Sequence, residues 1–105
     1  RATRIIVDRL DEALSVTDLA KAVALSERTL RRRFVTELGL TPHAYVHAQR
    51  MLAALDRLTD PSLSITEVAL SVGFETPSSF SHAFTAFVGE SPRDYRQKLR
   101  YDHKS

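Results

Sequence analysis

The chain has 105 residues, enough for one modest hydrophobic core, and 43% of them are apolar. Its 15 Lys and Arg against 13 Asp and Glu leave a formal charge of +2, which excludes a polybasic tail and does not by itself indicate nucleic-acid binding. The lack of cysteine excludes a disulfide scaffold, a cysteine-based zinc finger and a thiol nucleophile, and no apolar run approaches the ~18 residues of a membrane span.

The first part of the chain predicts three short helices. Residues 3–14 form an amphipathic stripe, Ser15 opens a capping-box pattern, and Ser26 caps a third helix that Gly39 ends. The residues expected on the buried faces of these helices are Ile6, Leu10, Ala13, Leu14, Leu19, Ala20, Val23, Leu30 and Phe34.

The remainder predicts four more helices. The longest begins after Thr41 and stops before Pro61, and Ser64, Thr76 and Ser91 are the start signals of the other three. The inner faces are expected to carry Tyr45, Ala48, Leu52, Leu55, Leu58, Phe80, Phe84, Phe87, Tyr95 and Leu99. The pattern therefore predicts an all-α fold of seven helices with no strand.

The second half of the chain repeats the first. The pattern that begins at Ser15 recurs at Ser64, an offset of 49, whereas Phe34, Gly39, Pro42 and Tyr45 recur at an offset of 50 as Phe84, Gly89, Pro92 and Tyr95. One extra residue in a turn explains the change of offset. Each copy has two short helices with a small residue, Ala20 or Ala69, where they cross, which is the helix-turn-helix plan. A generic helical bundle is the alternative.

The repeat divides the single predicted domain into three parts. Residues 1–41 form a first helix-turn-helix subdomain with its leading helix, residues 42–59 a linking helix, and residues 60–105 a second subdomain with a closing helix.

The helix after Ser26 carries four arginines within six positions. Arg28, Arg31, Arg32 and Val35 fall opposite its apolar side, and Arg33 lies at the flank. A solvated charged face usually mixes signs, but Glu27 is the only acid before Glu37 in this helix. Like charges this close repel one another, so an external anion is the expected partner. Reading of guanine by arginine in a DNA major groove is favoured over a solvated face.

The corresponding helix of the second copy has a different outer face. It presents Ser78, Ser79, Ser81 and His82, and residues 58–92 contain no Lys or Arg. Hydroxyl and imidazole groups can bond to bases or phosphates, but they lack the counterion release that cations supply. We therefore expect the first copy to provide most of the base-specific energy.

At these positions the chain resembles the DNA-binding domain of AraC/XylS-type bacterial transcription regulators. The resemblance runs from about residue 6 to 99 and is carried by residues 25–34, 39–42, 73–84 and 89–96 and by Arg50 in the linking helix. The family usually has Arg where this chain has His82.

The resemblance implies two recognition helices in successive major grooves, about 34 Å apart along one face of double-stranded DNA. The residues expected to read bases are Arg28, Arg31, Arg32, Ser78, Ser79, Ser81 and His82. Those expected at phosphates are Ser15, Ser26, Arg33, Arg50, Ser64 and Thr76, four of them at helix starts.

The resemblance also implies partners and a setting. An upstream effector or dimerisation domain is expected, and a chain that begins at Arg1, with Met51 as its one methionine, agrees with that. RNA polymerase is a further expected partner, the cytoplasm is the expected compartment, and neither a membrane nor a cofactor is expected.

The sequence pattern is also compatible with one other class of function and argues against a second. The same helices would suit a protein-interaction module that binds an acidic partner through the arginine face without reading bases. An enzyme is disfavoured, because His43 and His47 have a chelating spacing but no third ligand nearby, and the chain has no nucleophilic triad or phosphate-binding loop. We therefore expect neither catalysis nor a metal.

Overall fold

The computed structural model describes residues 1–12 and 15–104, with side chains up to residue 100. These residues form seven helices and no strand, which confirms the predicted all-α class. The helices are α1 (Ala2–Asp8), α2 (Val16–Ala22), α3 (Glu27–Leu38), α4 (Pro42–Arg57), α5 (Ile65–Ser71), α6 (Pro77–Val88) and α7 (Pro92–Lys104).

Two compact units, Arg1–Arg50 and Met51–Ser105, divide the chain within α4. In the first unit α1 packs on α2 and α2 on α3, and in the second α5 packs on α6 and α6 on α7. The linking helix α4 therefore ends the first unit and begins the second.

The predicted helix starts are confirmed by their hydrogen bonds. A hydroxyl accepts a bond from the backbone N–H three residues on at Ser15, Ser26, Thr41, Ser64, Thr76 and Ser91. The reciprocal bond of a capping box, from Ser64 N to Glu67 Oε1, measures 3.1 Å. Gly39 (φ 74°) and Gly89 (φ 98°) end α3 and α6 in the left-handed conformation, as expected.

The core of the first unit contains Ile6, Leu10, Leu19, Ala20, Leu30 and Phe34. Its leading helix is shorter than the predicted 3–14, since α1 ends at Asp8. Leu10 is buried although it lies beyond the end of α1, whereas Ala13 and Leu14 of the expected stripe lie outside the described residues.

An arginine from α4 holds the segment that follows α1. Arg50 Nε donates to the carbonyl of Leu10 at 3.1 Å, and Nη2 donates to the carbonyl of Glu12 at 2.8 Å. The two bonds fix the segment that follows α1 against α4 within the first unit. Burial lowers the pKa of Arg50 from its ordinary value, but a guanidinium remains charged.

The second unit contains the same arrangement. Arg96 Nε of α7 donates to the carbonyl of Leu58 at 3.1 Å, and Nη2 donates to that of Asp60 at 3.3 Å, just beyond the end of α4. Each unit thus ties the turn after its first helix to its last helix through one guanidinium. We call these contacts the arginine clamps of Arg50 and Arg96.

The core of the second unit contains Met51, Ala54, Leu58, Val68, Ala69, Val72, Phe80 and Phe84. Two residues that were expected on inner faces are instead exposed to solvent, Leu52 by 52% and Phe87 by 46%. The buried stripe of α4 in this unit follows Met51, Ala54 and Leu58, so Leu52 is rotated away from it by about 100°.

The turns between paired helices explain the change of repeat offset. Ala24 (φ 57°) and Gly73 (φ 95°) are the left-handed residues of the two turns and are separated by 49 positions, whereas the following caps, Ser26 and Thr76, are separated by 50. Glu75 is therefore the inserted residue. After each left-handed residue the next N–H bonds back to the small residue of the preceding helix, Leu25 to Ala20 and Phe74 to Ala69.

We expect loss of an arginine clamp to destabilise its unit. Arg50→Ala removes two charge-assisted hydrogen bonds and should lower the free energy of unfolding by about 2 kcal/mol, with a smaller loss for Arg96→Ala, whose second bond is longer. Arg50→Lys should recover less than half, because an ammonium does not span two carbonyls as a guanidinium does. Urea unfolding followed by circular dichroism measures this. The exposed Arg33→Ala is the matched control, and an equal loss there would contradict a role for the clamp.

The two turns offer an opposed pair of substitutions. Ala24→Gly relieves a left-handed alanine and should raise the free energy of unfolding by about 0.5 kcal/mol, after the entropy that glycine loses on folding. Gly73→Ala places the same strain in the second turn and should lower it by about 1 kcal/mol. Changes of the same sign in the two variants would show that these backbone angles do not control stability.

Candidate nucleic-acid interface

The start of α3 is fixed by Ser26. Its hydroxyl accepts from Thr29 N at 3.2 Å and donates to Thr29 Oγ1 at 2.9 Å. Leu30 and Phe34, four residues apart, are buried on the inner side, and the Phe34 ring meets the edge of Tyr45 with centroids 5.6 Å apart. Cap and core together set the rotation of α3 about its axis, and therefore which side chains point outward.

The outward side of α3 is an arginine face. Arg28, Arg31, Arg32 and Arg33 are all exposed, and Val35, one turn beyond Arg31, is 50% exposed beside them. Sequence reasoning placed Val35 on this side, but did not assign it a contact.

Carboxylates do not neutralise the arginine face. The ion pairs found within residues 1–12 and 15–100 are Arg9–Glu12 and Lys98–Glu90. Glu27, the acid nearest in sequence, accepts a hydrogen bond of 2.7 Å from Thr17 Oγ1 of α2. This bond, which no sequence pattern signalled, links α2 to α3 at the point where α3 begins. The four guanidinium groups are thus left to attract an anion from outside the chain.

The outer face of α6 is set by the same kind of packing but has different chemistry. Phe80 and Phe84 are buried, with Phe84 against Tyr95 at a centroid distance of 5.9 Å. Ser78 and His82 are exposed and lie one helical turn apart. The helix contains no Lys, Arg, Asp or Glu, so this face is neutral unless the imidazole is protonated.

Of the serines predicted to read bases, Ser79 is hydrogen-bonded within its helix cap and Ser81 is half-buried. The Ser79 hydroxyl donates to the carbonyl of Thr76 at 3.0 Å and accepts from Thr76 Oγ1 at 2.9 Å. Ser81 is half-buried, and its carbonyl accepts from the Thr85 hydroxyl at 2.7 Å. The exposed polar groups of the predicted set on α6 are therefore mainly those of Ser78 and His82.

The residues expected at phosphates divide into three groups. The hydroxyls at Ser15, Ser26, Ser64 and Thr76 are used as helix caps, which leaves backbone N–H groups at those starts as the possible donors. Arg33 is exposed beside the arginine face. Arg50 uses its Nε and Nη2 groups in its clamp, so these two donors are not available to a phosphate.

Among the described side chains, no third ligand joins His43 and His47 of α4 to form a metal site. Across residues 1–12 and 15–100, whose side chains the structure describes, no group of three His, Asp or Glu side chains could hold an ion. Within the same part of the chain, no helix is long and apolar enough to span a bilayer.

Comparisons with known proteins match this architecture. Residues 19–98 fit the family model of a helix-turn-helix domain. The chain is 39% identical over 90 residues to the transcriptional activator RhaS of Escherichia fergusonii, covering 86% of the chain and 32% of that protein. It is 33% identical over 93 residues to the transcriptional regulator MtrA of Neisseria gonorrhoeae, covering 89% of the chain and 31% of the relative. The chain thus spans about a third of the length of these curated relatives.

Solved structures agree with the sequence matches. The DNA-binding domain of AdpA, a global transcriptional factor solved in complex with a target DNA, superposes with a TM-score of 0.92 at 31% identity, covering 99% of the chain and 94% of that domain. A transcriptional regulator with an AraC-type DNA-binding domain from Chromobacterium violaceum superposes with a TM-score of 0.86 at 31% identity, covering 93% of the chain and 88% of that structure.

The cap of α3 gives a separate prediction. Ser26→Ala removes the acceptor for Thr29 N and should lower the free energy of unfolding by about 1 kcal/mol. Ser26→Asp should stay within about 0.5 kcal/mol of the native chain, since aspartate caps helices as well as serine does. Thermal and urea unfolding of the two variants measure the difference. Equal losses in both would show that the cap bond does not stabilise α3.

Proposed function

Since the chain belongs to the AraC-type family of helix-turn-helix transcription regulators, its function is sequence-specific binding of double-stranded DNA, and we propose that its first unit dominates base recognition. It is a DNA-binding domain and not an enzyme.

One observation carries the proposal of unequal units. The recognition helix α3 exposes four guanidinium groups without a carboxylate partner among the described side chains, whereas α6 has no charged side chain. Each phosphate neutralised by a cation releases counterions and strengthens binding, and arginine is also the commonest reader of guanine. Both effects favour α3 over α6.

The spacing on α3 suits the reading of neighbouring bases. Arg28 and Arg32 are one turn apart, about 6 Å along the helix axis, which is close to two base-pair steps. Each guanidinium can donate two parallel bonds to guanine O6 and N7. Arg31 lies between them on the same face, and Val35 follows where an apolar side chain can contact a thymine methyl group. A half-site that contains guanine is therefore proposed for the first unit.

The second unit is proposed to contribute positioning and weaker readout. Ser78, Ser79 and His82 are exposed on α6, but the Ser79 hydroxyl is bonded to Thr76 in the helix cap, and Ser81 is half-buried. Arg33, together with the N–H groups at the helix starts capped by Ser15, Ser26, Ser64 and Thr76, is proposed to contact phosphates.

The relatives also suggest the role of the longer protein to which such a domain belongs. They are about three times as long as this chain, so we propose an accompanying effector or dimerisation domain. An activator among them favours activation of transcription, with RNA polymerase as a partner. The bacterial cytoplasm, in association with the nucleoid when bound, is the proposed place of action.

Selection of bound sites from random duplexes tests the unequal roles. We expect one half-site with strongly preferred guanines and a second with weak preference, each assigned to its unit by repeating the selection with Arg32→Ala and Ser78→Ala. Equal information in the two half-sites would contradict the proposal. Affinity that does not depend on duplex sequence, or no affinity at all, would favour a protein-interaction module that uses the arginine face.

Single arginine substitutions give a quantitative prediction. Arg32→Ala or Arg28→Ala should weaken binding to the selected duplex by about 1–3 kcal/mol and relax preference at one base position. Ser78→Ala should cost less than about 1 kcal/mol, because it removes one neutral hydrogen bond. Fluorescence anisotropy with matched and mismatched duplexes measures both. Arg4→Ala, an exposed arginine of α1, is the control for net charge, and an equal effect there would show that α3 acts only through overall charge.

A further inference from the structure

The recognition helix α6 has one titratable side chain, that of His82. The other residues of Pro77–Val88 are apolar residues, Ser or Thr, so the charge of this helix depends on one proton. On α3, by contrast, the four arginines remain charged at all physiological pH values.

The imidazole of His82 lies on the outer face of α6. Phe80 and Phe84 are buried, and the hydroxyls of Ser79 and Thr85 are bonded to backbone carbonyls of the same segment. His82 is exposed, one turn beyond the exposed Ser78. Its ring thus lies on the side of α6 that the core does not use.

Three charged side chains of the other helices in this unit are held by hydrogen bonds of their own. Glu67 of α5 is bonded in its capping box, Arg57 of α4 donates to Ser71, and Arg96 of α7 forms its clamp. The remaining charged groups with described side chains on the elements of this unit are Asp56, Asp60, Glu75, Glu90, Arg93, Asp94, Lys98 and Arg100. Lys98 pairs with Glu90, and no ion pair among the described residues involves His82.

We propose that His82 is a proton-dependent DNA contact, which strengthens the hold of the second unit on its half-site as the pH falls. The inference rests on the proposed function, because it takes the outer face of α6 as the face that meets DNA. The acceptor is a phosphate oxygen or a guanine edge, both of which favour a protonated ring.

The direction of the effect follows from linkage. Contact with a polyanion favours the charged form of an imidazole. The added affinity is therefore largest at acidic pH and is lost as the pH rises and the ring gives up its proton. A neutral ring still donates one hydrogen bond, so binding continues at high pH but is weaker.

The experiment compares the affinity of the 105-residue chain for its selected duplex at pH 6.0 and pH 8.0, at constant ionic strength. We expect the native chain to bind about three- to tenfold more tightly at pH 6.0, with a salt dependence steeper by up to about one counterion. His82→Gln should lose this difference and bind at both pH values as the native chain does at pH 8.0. His82→Arg should bind tightly at both.

The matched control is His43→Gln, since His43 is exposed on α4 and has no proposed contact. It should keep the pH dependence of the native chain. An affinity of the native chain that does not change with pH, or a dependence that persists in His82→Gln, would overturn the inference and leave the proposed function intact. Failure of the native chain and of His82→Arg to bind any selected duplex would instead overturn the proposed function, and this inference with it.

Discussion

Burial of two apolar side chains one turn apart sets the surface that each recognition helix presents. In α3 these are Leu30 and Phe34, and in α6 they are Phe80 and Phe84. The second residue of each pair makes an edge-to-face contact with a tyrosine, Phe34 with Tyr45 of α4 and Phe84 with Tyr95 of α7. Because close packing allows little rotation of the helix about its axis, the outward residues follow from the inward ones. The candidate interface is therefore a consequence of the core.

Features that depend on local bonding could be predicted from the sequence. The helix starts at Ser26 and Thr76 and the left-handed ends at Gly39 and Gly89 involve bonds within a few residues, so a short pattern contains all the partners. The exposure of the arginines of α3 was also predictable, because helical periodicity places them opposite Leu30 and Phe34, which are strongly apolar.

Features that depend on distant contacts could not be predicted in this way. Leu52 lies on a plausible apolar stripe, but α4 changes partners along its length, and in the second unit Met51 takes the buried position. The arginine clamps show more clearly that the sequence repeat does not predict distant contacts. The repeat would align Arg50 with Arg100, yet the second clamp is formed by Arg96, one helical turn earlier. Position in space rather than repeat register decides which guanidinium reaches the carbonyls.

The two units show how a duplicated fold separates stability from recognition. Their caps, left-handed turns, aromatic contacts and clamps recur, and all of these lie on inner faces or at helix ends. The outer faces are under no such constraint, since exposed substitutions there change stability little. The outer face of α3 carries four arginines and α6 contains none, so a formal charge of +2 conceals one strongly basic helix and one helix without Lys or Arg. A regulator built this way can change what one half-site requires without altering the fold that holds the other half.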